Sequence, residues 1–117
     1  MNYTDLDVWK YSREMVKLVY NLTKSYPQEE LYGLTNQIRR SVISVPSNIA
    51  EGVGRQSSKE TIHFLFMAKG SLNEVETQLY LSFDLGYISE QELKDILGKV
   101  ISNKKLLNGF INYYKKL

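Results

Sequence analysis

One stretch, "LTNQIRRSVISVPSNIAEGVGR" at residues 34–55, constrains the fold of this 117-residue chain more than any other. Leu34, Ile38, Val42, Val45, Ile49 and Val53 recur at spacings of three and four. That pattern lines one face of a helix with 3.6 residues per turn. Asn36, Arg39, Arg40, Ser44, Ser47 and Asn48 fill the other faces with polar or small groups. Pro46 interrupts the stretch: it has no N–H for the carbonyl of Val42, and its ring crowds that carbonyl. In an exposed helix interior this costs about 3 kcal/mol. The apolar stripe passes through Pro46 without losing phase, which predicts one helix kinked there and not two helices. Ser41, Ser44 and Ser47 are placed to satisfy freed backbone groups. Gly52 and Gly54 predict the stop, one of them at C′.

Such a helix needs apolar neighbours, and the flanking sequence supplies three. The first is expected from about Asp5 to Ser25, capped by Thr4 or Asp5, with a seam of Val8, Tyr11, Met15, Leu18 and Leu22. Trp9, Val16, Val19 and Tyr20 make a second apolar flank, which predicts burial on two sides or a subunit interface. Lys10 and Glu14 are spaced to pair on its outside. Pro27 ends this helix, and "PQEELYG" is expected to form a short connection of about one helical turn. Ser57 and Glu60 predict a capping box that opens a third helix running to about Leu85. Its stripe is Ile62, Leu65, Ala68, Leu72, Val75 and Leu79, widened by Phe66 and Phe83. Ala68, Gly70 and Ser71 predict a narrow region for close backbone approach. Gly86 stops this helix; Ser89 and Glu92 then predict a second capping box, with Ile88 stapled onto Leu93. The fourth helix is expected from Glu90 to about Tyr114, facing inward through Leu93, Leu97, Val100, Leu107, Ile111 and Tyr114, with Lys104 on the seam.

Four helices of roughly 20 residues, each about 30 Å long, joined by short loops, predict an all-α, antiparallel up-down-up-down four-helix bundle. Residues 1–117 read as a single domain. No apolar run approaches the ~20 residues that span a bilayer, and the acidic, aromatic start "MNYTDLDVWKY" is unlike a secretory leader. The chain has no cysteine, hence no disulfide or thiolate. The expected location is cytoplasmic, with no membrane partner.

Chemistry finds little to build on. Glu60 and His63 have the E-x-x-H spacing of di-iron bundles, but such sites need two such motifs and the chain has one histidine. "GRQSSKET" lacks the second glycine of a phosphate loop. Glu74 and Glu76, two residues apart, point to different helix faces and make no carboxylate pair. The expectation is a non-enzyme with no cofactor and no metal.

Charge is more informative by position than in total. The net charge is +2; residues 34–59 sum to +3, residues 60–98 to −5, and residues 99–117 to +5 without a carboxylate. In an up-down bundle, Arg55, Lys59, Lys115 and Lys116 gather at one end, interleaved with Tyr113 and Tyr114, which could stack on bases. Arg39 and Arg40 form a separate site towards the other end, and Lys104 and Lys105 add to the basic surface of the last helix. The plainer alternative pairs Arg39 and Arg40 with Glu74 or Glu76, and Arg55 with Glu51.

"QIRRSVISVPSNIAEGVGR", with "LDVW" before it and "SSKETIHFLFMAKGSLNEVETQLYLSFDLGYI" after it, resembles the four-helix-bundle family of 23S rRNA intervening-sequence proteins. That family includes the accessory variability determinant of diversity-generating retroelements. The likeness spans residues 6 to about 115. It implies a ring-shaped homopentamer, for which Trp9, Val16, Tyr20, Phe66 and Phe83 are the candidate interface residues. The retroelement members are positively charged, bind nucleic acid and associate with a reverse transcriptase. The resemblance therefore implies RNA or DNA and a reverse transcriptase as partners, although this chain departs from those members in its near-balanced charge. The leading expectation is a homo-oligomeric scaffold whose basic surface binds RNA or DNA without sequence preference. The alternative is a protein-binding adaptor, for example to a reverse transcriptase, that does not touch nucleic acid.

Overall fold

The computed structural model describes residues 1–117 and contains four long helices and no strand: α1 Asp7–Thr23, α2 Leu34–Val53, α3 Ser58–Asp84 and α4 Glu90–Lys115. Short 3₁₀ turns at Tyr3–Asp5 and Gln28–Glu30 precede α1 and α2. Each helix packs against two others, in the cyclic order α1, α2, α3, α4. Neighbours run in opposite senses. Along the α2–α3 contact, Thr61 reaches Gly52, Ser71 meets Ser44, and Glu74 accepts from Ser41. On the α3–α4 side Lys115 lies over Phe66 while Lys104 bonds to Glu76, and on the α1–α4 side Tyr114 reaches Met1 while Asn103 meets Ser12.

The helix ends follow from local chemistry. Ser89 accepts from the Glu92 N–H, and the Glu92 carboxylate accepts from the Ser89 N–H, so the box at the start of α4 is complete. Ile88 and Leu93 are both buried in one apolar cluster beside it. The box at α3 is half formed: Ser57 accepts from the Glu60 N–H, but the Glu60 carboxylate accepts from the Ser57 hydroxyl instead of the backbone. At the end of α3, Gly86 adopts φ +79°, and the N–H groups of Gly86 and Tyr87 return to the carbonyls of Phe83 and Ser82. This is a Schellman stop, and its left-handed residue favours glycine. Neither Gly52 nor Gly54 supplies such a residue to α2, because Gly54 is right-handed at φ −79°. Nor does Thr4 or Asp5 cap α1, whose N-cap is Leu6 without a side-chain bond.

α2 runs through Pro46 as one helix. Side-chain donors crowd this region but do not reach Val42: Ser41 donates to Gln37, Ser47 to Ile43, and the Asn48 amide to Ser44.

The core divides into two apolar clusters. One, towards the ends where α1 stops and α4 starts, holds Met15, Val19, Ile38, Val42, Val75, Leu79 and Val100; the other holds Val8, Val45, Ile49, Leu65, Ala68, Leu72, Leu107 and Ile111. At the level between them, buried Ser12 donates to the Val8 carbonyl at 2.7 Å, and its hydroxyl lies 3.1 Å from the Asn103 side chain. The α2 and α3 stripes sit inside as their spacing predicts, except that Leu34, Val53 and Ile62 are only partly buried and Phe66 and Phe83 are exposed. α1 is rotated from the expected seam: Val8, Ser12, Met15, Val19 and Thr23 are buried, while Leu18 is exposed. α4 likewise buries Ile96 and Asn103, leaving Lys104 beside the seam. In both helices a buried polar residue completes the stripe, which an apolar-only pattern cannot show. Glu14 pairs with Lys17 at 3.6 Å, not with Lys10, and both partners are exposed.

Candidate nucleic-acid interface

The opposed helix directions bring the end of α2, the start of α3 and the end of α4 to one end of the bundle. The α2–α3 corner there is set by Gly52. A Cβ at this position would lie 3.0 Å from the Phe64 Cβ and 3.1 Å from the Thr61 carbonyl. A side chain there would force α3 back by a few tenths of an ångström, which glycine avoids. The Thr61 hydroxyl then donates to the Gly52 carbonyl at 2.7 Å, locking the corner. Close approach therefore occurs at Gly52 and not at Gly70, whose missing Cβ faces open space.

Arg55 leaves this corner with its guanidinium 4.4 Å above the Phe64 ring, and it pairs with Glu51 at 3.3 Å. Phe64 also takes the His63 ring edge-on at 5.8 Å. Lys115, from the last turn of α4, lies 5.4 Å from the Phe66 ring, which Lys69 approaches at 5.8 Å. The first half of α3 thus carries two aromatic rings, each approached by a cation from another helix or loop. Lys59 is exposed on the first turn of α3, and Lys116 is exposed just past α4. The exposed carboxylates at this end are Glu51, engaged by Arg55, Glu60, engaged by Ser57, and Asp5 and Asp7 from the start of α1, which no cation pairs. Such cations keep their charge at the surface while their stems cover apolar rings.

The tyrosines behave differently from each other. Tyr113 is half-exposed and lies parallel to Phe110 at 6.2 Å, so one ring face is taken. Tyr114 is partly buried, edge-on to Phe110, and donates to the Met1 sulfur at 3.7 Å. Burial raises its pKa, and Tyr113 adds to the rise.

The remaining basic residues do not join this end. Lys104 bonds to Glu76 at 2.7 Å with both side chains about two-thirds or more covered, so its charge is neutralised locally. Lys105 is exposed and unpaired on the outer face of α4. Arg39 and Arg40 lie towards the opposite end of α2 and pair with neither Glu74 nor Glu76. Arg40 is exposed, while Arg39 folds inward onto Tyr20. That opposite end gathers Glu29, Glu30, Asp84, Glu90 and Glu92. Glu30 accepts from the Tyr87 hydroxyl at 2.6 Å and from the Leu34 N–H at 3.2 Å, and these bonds lower its pKa. The same bond pushes Tyr87 up to about 12.

The five residues considered for subunit contact fall on two faces. Trp9 and Val16 line an open groove of about 550 Å³ between α1 and α2, together with Ile43, Pro46 and Ala50. Tyr20, further along α1, is covered by Arg39. Phe66 and Phe83 are half-exposed on the outside of α3, 44% and 38% accessible, so neither belongs to that groove.

No three His, Asp or Glu side chains converge to hold a metal ion, and no helix is long and apolar enough to cross a membrane. The fold and surface define a class: an all-α four-helix bundle with one basic, ring-bearing end and an acidic opposite end. Comparison with known proteins places it more closely. The chain belongs to the 23S rRNA-intervening sequence protein family, whose profile matches residues 4–109. A crystal structure from Bacteroides thetaiotaomicron, of a protein with unknown function from the S23 ribosomal protein family, is similar throughout. It superposes with a TM-score of 0.84 at 29% identity, covering 96% of this chain and 99% of that one. No curated protein matches.

Proposed function

We propose that this protein is a non-catalytic, homo-oligomeric scaffold that binds RNA or DNA through the basic end of its bundle. The observation that carries the reading is the flanking of α3 by Arg55 over Phe64 and Lys115 over Phe66. Phe64 and Phe66 face different sides of α3, towards α2 and α4; Lys69 joins the Phe66 side, and Lys59 and Lys116 are exposed at the same end of the bundle. Phosphate contact by arginine and lysine is independent of sequence, and no base-reading motif is present. The exposed Tyr113 ring offers a stacking face near it. Assembly into a ring, the homopentamer that the family resemblance implies, would repeat a modest patch and raise its avidity.

Fluorescence anisotropy with labelled single- and double-stranded RNA and DNA tests this reading. Affinity is expected to fall linearly with salt on logarithmic axes, with a slope of about 0.7–0.9 per phosphate engaged. Arg55→Glu and Lys115→Glu should each weaken binding and flatten the slope. No binding at low salt refutes the proposal. Light scattering tests the ring, since five copies of a 13.6 kDa chain give about 68 kDa.

A second reading, a protein-binding adaptor with a reverse transcriptase as one example of a partner, draws on the groove of Trp9, Val16, Ile43 and Pro46. It predicts that Ile43→Glu abolishes capture of the partner while nucleic acid is ignored.

A further inference from the structure

We propose that the hollow around Arg39, at the end of the bundle opposite the basic patch, binds a small oxyanion of the phosphate or phosphomonoester class. This goes beyond the nucleic-acid reading and stands independently of it.

The hollow lies where α1 ends and α2 begins. Thr23, Lys24, Tyr26, Pro27, Gln28, Leu31, Thr35 and Arg39 line it, and its volume is about 230 Å³. That is below the roughly 300–1,000 Å³ of sites for drug-sized ligands, so it suits a small group. Arg39 is held as a receptor would hold it. Its Nε donates to the Thr23 hydroxyl at 2.9 Å, and its guanidinium lies 4.6 Å over the Tyr20 ring. The Thr23 hydroxyl has its own proton turned to the Val19 carbonyl at 2.8 Å, so it faces Arg39 as an acceptor. None of the chain's four ion pairs includes Arg39, and its two Nη atoms bond to no protein group. A fixed guanidinium with its terminal nitrogens free presents the geometry that pairs with two oxygens of a phosphate or carboxylate. Arg55, by contrast, spends an Nη on Glu51.

The surroundings favour an anion. Lys24 adds a second cation to the lining, and Gln28 a neutral amide. The nearest acidic segment, Glu29–Glu30, contributes no lining residue, and the Glu30 carboxylate is turned to the Leu34 N–H and the Tyr87 hydroxyl. The last carbonyls of α1, which would repel an anion, are occupied: Asn21 accepts from Lys24, and Thr23 from Tyr26. One wall residue, Thr35, carries a buried hydroxyl without a hydrogen-bond partner, whereas the Tyr26 hydroxyl is turned away to Ser82. The wall therefore holds unused hydrogen-bonding capacity next to an unneutralised cation. Buried polar groups rarely stay so.

The test is a ¹⁵N–¹H NMR titration of the whole protein with inorganic phosphate, at constant ionic strength balanced by chloride. The expected result is a saturable shift of the Arg39 Nε–H signal and of the Leu31 and Thr35 amides. Arg39→Lys keeps the charge but loses the fork, and should weaken the apparent affinity at least tenfold. Lys24→Gln, on an exposed side chain, should weaken it several-fold without risk to the fold. Arg55→Glu should leave it unchanged. Adding a nucleoside monophosphate and a short oligonucleotide separates the sources. A mononucleotide that moves Arg39 while the oligonucleotide moves only the basic end supports a free ester. An oligonucleotide that moves Arg39 before the basic end overturns the small-ligand proposal, because its phosphates are diesters. Shifts that never saturate, that persist in Arg39→Lys, or that are larger at Lys105 than at Arg39 overturn the proposal.

Discussion

Gly52→Ala gives the sharpest test of how the basic end is built. Inside a helix, alanine is favoured over glycine by about 1 kcal/mol. Here the added methyl would sit 3.0 Å from the Phe64 Cβ and 3.1 Å from the Thr61 carbonyl. Both are rigid parts of α3, so relief requires α3 to move and not merely a side chain to rotate. Overpacking of this kind costs about 1–3 kcal/mol. Displacement also stretches the 2.7 Å bond from Thr61 to Gly52, worth about 1 kcal/mol. The balance is a net loss of about 1–3 kcal/mol, or a fall in Tm of about 4–12 °C for a domain of this size. Gly70→Ala is the control, because its Cβ would meet nothing within 4 Å. It should gain up to about 1 kcal/mol. Urea denaturation followed by circular dichroism reads both changes through the midpoint at constant m. A Gly52→Ala protein as stable as the parent would refute the close-approach argument. Because Phe64 carries Arg55, the same substitution should weaken oligonucleotide binding, whereas Gly70→Ala should not.

Three further outcomes are expected. Lys104→Met should leave oligonucleotide affinity and salt slope unchanged by anisotropy, since Lys104 is neutralised by Glu76; it should cost on the order of 1 kcal/mol in stability by urea denaturation. Spectrophotometric titration should show Tyr87 ionising last among the partly exposed tyrosines, near its value of about 12, and Glu30→Gln should bring it down towards 10. The same tie sets a pH window for stability. Glu30 has a lowered folded pKa, so its contribution is present above the unfolded carboxylate value and lost as pH falls through the folded one. Tyr87 has a raised folded pKa, so its contribution is full below about 10 and lost as pH rises through about 12. Tyr87→Phe should flatten both limbs in a thermal-melt series from pH 3 to pH 12.

The number of helices, their order and most of their ends are legible in the chain before it folds. Period-3.6 stripes, the Ser89–Glu92 box and the left-handed Gly86 are local signals, and each acts within a turn or two of its own position. Segregated charge is legible there too, because the last 19 residues contain no carboxylate. Rotation of α1 and α4 was not legible, since Ser12 and Asn103 are polar residues buried by each other's presence across 91 positions. Lys104 read as a free cation until folding set it against Glu76, 28 residues away. Gly52 read as a helix stop, yet its role is to admit another helix, which only the packed neighbour reveals. Arg39 and Arg40 are adjacent in sequence but 100° apart on a helix, so tertiary structure turned one into a walled hollow and left the other in solvent. Local patterns decide which elements form; which charges stay free depends on partners that only the folded chain brings within reach.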